Sequence, residues 1–191
     1  MAVRAKKVWT YDDLLRMPEP KDGKRYEILD GELVVSPSPS FRHQYVLGQV
    51  LRALMREIQD AKRGLVLAAP LDVVLSRTRV VIPDHVAVRA DRLEIVQPRG
   101  IFGAPDLVCE ILSPSNRRYD RNRKRRLYAS SGIPEYWILD PDANTLDQLV
   151  LGERDYVLDG VYEPGDRLRS VVFGFELDVA ELFAPAQSPG G

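Results

Sequence analysis

The sequence predicts an α/β fold, and three features carry that expectation. The run DLVCEIL at 106–112 is apolar throughout except for Asp106 and Glu110, the pattern of a central strand buried on both faces. Between Phe41 and Ala61, apolar residues led by Val46, Val50, Leu54 and Ile58 recur at i, i+3, i+4 and i+7, which marks one face of a helix. Between these two elements lie the short β-rich runs LVLAA, LDVVL and RVVI. A chain of 191 residues fits one domain, expected here over 1–184, with AQSPGG in a flexible tail at 185–191.

The remaining elements follow from local signals. Thr10 before YDDLLRM is a helix cap, with Asp12 and Asp13 favourable at the positive end of the helix dipole, and Pro18 closes that helix. RYEILDGELVVSP alternates around Asp30-Gly31, a two-residue hairpin signal. The RVVI run stops at Pro83-Asp84, and the polar, Pro/Gly-marked stretch from Arg89 to Pro105 is expected as an excursion from the sheet. A helix is expected from Arg117 to Ser130, closed by Gly132. PEYWILDP forms a strand ending in an Asp-Pro turn, short strands fill 144–173, and ELDVAELF forms a short closing helix.

Composition narrows the function classes. The apolar fraction of 45% is that of an ordinary globular protein. Cys109 is the one cysteine, so no internal disulfide and no sulfur-rich metal site is expected, and its apolar setting places it in the core. The N-terminus has basic residues without an apolar stretch behind them, and no run approaches the roughly 18 apolar residues of a membrane span. A cytoplasmic protein with no membrane partner is therefore expected. A net charge of −1 argues against a protein that coats nucleic acid non-specifically, and leaves room for a local basic patch.

The residue out of place is Glu110, because a carboxylate inside a buried strand costs several kcal/mol (about 2–7 for a polar group without a partner) unless something compensates it. A strand-end acid paired with an arginine is one reading. The other joins it to Asp84, at the end of another β-rich run, so that two hard oxygen donors converge on Mg²⁺ or Mn²⁺. On the following helix, Asp120, Lys124, Leu127 and Tyr128 share one stripe, and the two large side chains turn that stripe toward the sheet. Lys124 then points at the acids, or forms an i, i+4 pair with Asp120. Arg117 to Arg126 holds six arginines and this lysine against one acid, a basic face that is either solvated or laid along a phosphate backbone. Arg117, Arg118, Arg121 and Arg125 are its candidate phosphate contacts. In that case binding would fall with salt at a log–log slope of about −0.9 per contact.

Pro83-Asp84 followed by Glu110-Ile111-Leu112 resembles the PD-(D/E)XK nuclease core. The longer strings YEILDGELVVSPSPSFRHQ, VVIPDHVAV, APDLVCEILSPS and GIPEYWILDP resemble, in order and over Trp9 to Phe183, the Uma-type restriction endonuclease family. That resemblance implies a restriction-endonuclease-like core, a central mixed β-sheet flanked by helices, with Asp84, Glu110 and the backbone carbonyl of Ile111 at the metal. It implies Glu27 as an additional acid, the bland alternative being a hairpin charge facing water. The superfamily's lysine stands two residues after the glutamate, where this chain has Leu112. Lys124 with Tyr128 resembles the helical Q-x-x-x-Y signature of relatives that carry their basic group on the next helix. His43 lies on the apolar face of its helix, as a satisfied core histidine or a catalytic base, and RHQ, with Gln44, belongs to the family string.

Together these expectations describe a Mg²⁺-dependent endonuclease, with DNA as first-choice polymer by resemblance and a homodimer to cut both strands. The alternatives are a catalytically silent nucleic-acid-binding module that keeps the nuclease fold and the arginine helix, and an interaction protein that docks through EYW and the C-terminal strands.

Overall fold

A computed structural model describes residues 7–18, 24–36, 39–113 and 120–184, with Asp120 and Arg121 described in their backbone alone. Arg117, Arg118 and the expected tail lie outside the described residues. In chain order the elements are α1 (Tyr11–Leu14), β1 (Arg25–Leu29), β2 (Glu32–Ser36), α2 (Phe41–Leu54), β3 (Gly64–Ala68), β4 (Val73–Ser76), β5 (Arg79–Val81), β6 (His85–Arg89), β7 (Val96–Gln97), β8 (Gly100–Phe102) and β9 (Leu107–Ile111). They continue with α3 (Arg125–Ser130), β10 (Glu135–Asp140), β11 (Thr145–Leu151), β12 (Tyr156–Tyr162), β13 (Arg167–Arg169), β14 (Glu176–Asp178) and α4 (Ala180–Phe183). Wider π-type turns extend α2 over Met55–Asp60 and lead into α3 over Asp120–Lys124.

The mixed α/β architecture is as expected, but the strands divide into two six-stranded sheets. The first runs β2-β1-β5-β4-β8-β7 and the second β12-β11-β10-β9-β6-β3, with β13 and β14 as a separate pair. Alternation along β9 explains how the second sheet is covered on both faces. Leu107, Cys109 and Ile111 pack with Val46, Val50 and Leu54 of α2, while Val108 and Leu112 face residues of the first sheet and of α3, among them Leu29, Val81 and Leu127. An all-buried strand has no solvent face, which is why its sequence lacks alternation.

The Asp30-Gly31 hairpin forms as expected. Both turn residues have positive φ, 49° and 77°, as a turn matched to the strand twist requires, and a Cβ at Gly31 would stand 2.7 Å from Val8 Cγ1. Thr10 caps α1 in a reciprocal capping box with Asp13, yet α1 ends after four residues.

Three expectations are corrected. HVAVR, after Pro83, is a strand, so Asp84 stands at the entry of β6 and not merely at the end of RVVI. Residues 89–105 do not leave the sheets: after a 3-10 turn over Ala90–Ile95, β7 and β8 pair with one another and β8 continues the first sheet beside β4. Their short length hid the period. ELDVAELF is not one helix, because Glu176–Asp178 pairs with Arg167–Arg169 before the chain turns into α4.

Glu135, at the start of β10, anchors the C-terminal strands. Its carboxylate accepts from Trp137 Nε1 at 2.8 Å, Gln148 Nε2 at 2.7 Å, Ser170 Oγ at 2.8 Å and the Val172 amide at 3.0 Å. Glu135→Ala strands buried donors that cost about 1–3 kcal/mol each, so urea unfolding is expected to show a loss of at least about 2 kcal/mol. Glu135→Gln, which keeps an acceptor, is expected to lose less, and equal losses would remove this anchoring role.

Candidate functional site

Three acids and three bases, Glu27, Asp84 and Glu110 with Arg25, His43 and Lys124, meet where the chain passes from the first sheet to the second. β5 ends at Val81, Ile82 and buried Pro83 make the crossing, and Asp84 opens the approach to β6. Proline has no N–H to give a ladder, so pairing is interrupted at Pro83 and resumes with β6. Asp84 is 2% exposed. Its Oδ1 accepts from Arg25 Nη1 at 3.0 Å, and its Oδ2 lies 2.9 Å from the Ile111 amide and 3.1 Å from His43 Nε2.

β6 and β9 are antiparallel, with His85 opposite Cys109. One step further along that register puts Asp84 opposite Glu110. Directly opposed residues share a face, with Cβ atoms about 4.5–5.5 Å apart. Glu110 therefore points with Val108 and Leu112 toward the first sheet and α3. Its Oε1 accepts from Lys124 Nζ at 2.9 Å and from Tyr128 Oη at 2.6 Å. Lys124 Nζ also lies 3.0 Å from Oε1 of Glu27, on β1 of the first sheet. Glu27 is held in turn by the Ile82 amide at 2.9 Å and Ser36 Oγ at 3.3 Å. The spacing Lys124, Leu127, Tyr128 places all three on the buried side of the helix, so the inward direction expected of Lys124 is the one observed, with 4% of it exposed.

The electrostatics follow from this packing. Burial pushes the Asp84 carboxyl up, but His43, through its hydrogen bond and charge, the Arg25 guanidinium and the Ile111 amide together outweigh it and hold the group well below the usual carboxylate range. Burial, then the charges of Glu110 and Glu27 and the bond to Glu110, drive the Tyr128 phenol far up, so it stays a proton donor. Burial likewise pushes the Cys109 thiol up; it sits on the opposite face of β9 and plays no part in the acid cluster.

Among the described residues no three histidines, cysteines or acids converge as a ready-made metal cage. Mg²⁺ does not demand one, since it keeps several waters and is held by one or two carboxylates. Glu27, Asp84 and Glu110 are hard oxygen donors, and Arg25, His43 and Lys124 are the basic groups paired with them. Clustered carboxylate oxygens are the donor type that Mg²⁺ and Mn²⁺ take.

The other expected residues fall elsewhere. Gln44 is exposed on α2, and the Asp120 and Arg121 side chains lie outside the described residues. Arg125 is tied to the Tyr156 carbonyl at 2.6 Å and to Asp155 at 3.3 Å, so it fastens α3 to β12, whereas Arg126 is exposed. Arg25 was missed by the sequence reading. Its position two residues before Glu27 on one strand, hence on the same face, was the available signal.

His85 follows Asp84 and is fully buried; burial, and after it His43, outweigh the opposing Asp84 charge and Leu47 backbone, bringing the imidazole down to about 4. Unfolded histidine titrates near 6.5, so between about pH 6.5 and 4 the unfolded chain binds the proton first. Stability is then whole above pH 6.5 and falls as pH drops through that window, by up to about 3 kcal/mol at roughly 1.4 kcal/mol per pK unit. Urea unfolding between pH 7.5 and 4.5, with chelator present, is expected to show that loss in wild type and a shallower one in His85→Phe. Parallel profiles would contradict it.

Comparison with known proteins gives a family and a fold. A family profile described as "Uma2: Putative restriction endonuclease" matches residues 11–180. No curated protein matches the chain. A solved structure described as "a putative nuclease belonging to DUF820 from Anabaena variabilis ATCC 29413" superposes with a TM-score of 0.76 at 20% identity, covering 92% of this chain and 97% of that one. At that identity the likeness is one of fold.

Proposed function

This chain belongs to the Uma2 family, and from that membership and the acid cluster we propose that it is a metal-dependent nuclease that hydrolyses phosphodiester bonds, in DNA as first substrate. The observation that carries the reading is the Lys124 ammonium lodged 2.9 Å from Glu110 and 3.0 Å from Glu27, one strand away from Asp84. Burying this many charges is costly, and replacing such groups by apolar ones is often neutral or stabilising, so a purely structural cluster has little to recommend it. Clustered, buried acids at a sheet junction, with the Asp84 carboxyl held below its usual range, suit hydrolytic chemistry.

Asp84 and Glu110, with the Ile111 carbonyl, would hold Mg²⁺ or Mn²⁺, which supplies Lewis acidity at the scissile phosphate and lowers the pKa of a water. The chain's own residues do the rest. Arg25, His43 and the Ile111 amide fix the Asp84 carboxylate, and the Tyr128 hydroxyl fixes that of Glu110, so both donors are oriented before substrate arrives. Lys124, a compact ammonium, stabilises the negative charge gathering on the phosphoryl oxygens as water adds to phosphorus and the bond to the leaving sugar oxygen breaks. This is the role that Leu112, two residues after Glu110, cannot fill. Arginine is a poor replacement because its broad planar fork is a different donor.

The test is single-turnover cleavage of plasmid and oligonucleotides with Mg²⁺ or Mn²⁺. Wild type is expected to cut and Glu110→Ala to be silent. Lys124→Ala is expected to bind metal yet cut about 10²-fold more slowly or worse, with Lys124→Arg rescuing in part. Circular dichroism checks that each variant is folded. Equal cutting by wild type and Lys124→Ala would remove the lysine from the mechanism, and no cutting by wild type would favour a silent binding module.

A further inference from the structure

A cleft opens directly beside the acid cluster, and we propose that it takes one unpaired nucleotide with its base inward, so that the preferred substrate is single-stranded or locally unpaired nucleic acid. The inference rests on the nuclease reading and names the form of its substrate. The cleft has a volume of about 770 Å³, within the roughly 300–1,000 Å³ of clefts that enclose small ligands. A paired duplex offers no single base to such a space, whereas an unpaired base can be splayed into it.

Two residues belong to both places. Arg25 lines the cleft and donates to Asp84, and Ile82 lines it while its amide donates to Glu27. A nucleotide seated there therefore has its backbone beside the acids. Lys24 and Arg25, both in the lining, supply positive charge, complementary to phosphate. The walls are of the other character: Leu14, Met17 and Leu47 are apolar, and Tyr26 adds an aromatic ring. Bases stack on such surfaces without regard to sequence, because every base has a π-face.

Asp72 favours the base over the phosphate as the part the cleft takes. It lines the same cleft and is half-buried. A carboxylate there repels phosphate and accepts from the exocyclic amino group of a base. Apolar walls, one acidic acceptor and the Arg25 cation bonded to Asp84 together fit a base in the cleft with its phosphate toward Arg25.

The experiment is fluorescence anisotropy in EDTA, with a labelled oligonucleotide as single strand and as duplex of the same sequence. Without metal the readout does not depend on turnover. Wild type is expected to bind the single strand at least tenfold more tightly, and Met17→Trp, which puts a much larger side chain into the lining of the cleft, to bring the two within about twofold. A duplex bound as tightly as the single strand by wild type overturns the inference, whatever the variant does. A folded Met17→Trp that keeps the full preference also overturns it. A protein that keeps the preference and loses it in Met17→Trp, yet cuts nothing with Mg²⁺, supports the cleft and removes only the hydrolytic step.

Discussion

Lys124 is bonded to two acids that belong to different sheets, Glu27 on β1 and Glu110 on β9. That contact ties the first sheet, the second sheet and the helix after β9 to one buried ammonium. A charge at this depth is tolerable only with its partners in place, and removing any one leaves the others uncompensated at about 3–5 kcal/mol. The cluster therefore specifies how the two sheets meet, more than it adds stability. Tyr128, one turn along the helix, completes the hold on Glu110 from the same face.

The second constraint is the crossing at Ile82-Pro83. The Ile82 amide and the Ile111 amide both donate to carboxylates of the cluster, the first to Glu27 and the second to Asp84. A proline that ends pairing is thereby turned from a strand terminator into the device that aims an acid. The same crossing borders the cleft, so the placement of the acids and the shape of the neighbouring space have one origin.

Much of this was legible because strong periodicity survives in single sequences. The α2 face, the Asp30-Gly31 hairpin and the all-buried β9 needed only local rules, and Glu110 stood out because β9 has no polar face to hold it. The inward turn of Lys124 followed from its spacing to Leu127 and Tyr128. What stayed hidden depends on long-range pairing. β7 and β8, of two and three residues, are too short to show a period, and HVAVR was masked by the Pro-Asp before it. Arg25 reaches Asp84 across 59 residues of sequence, and its neighbour Tyr26 gives no hint of the contact. The arginine segment shows composition at its limit: Arg125 proves to be a fastener to Tyr156, and its neighbour Arg126 an exposed charge.

The most direct test of the account is whether one divalent ion sits between Asp84 and Glu110. Crystals soaked in Mn²⁺ and measured for anomalous scattering answer it without any substrate. The account predicts one peak bridging the two carboxylates, with oxygen ligands at roughly 2.0–2.2 Å as for small divalent ions, and its loss in Glu110→Ala. A peak at other residues, or none at Asp84 and Glu110 in saturating Mn²⁺, would contradict it.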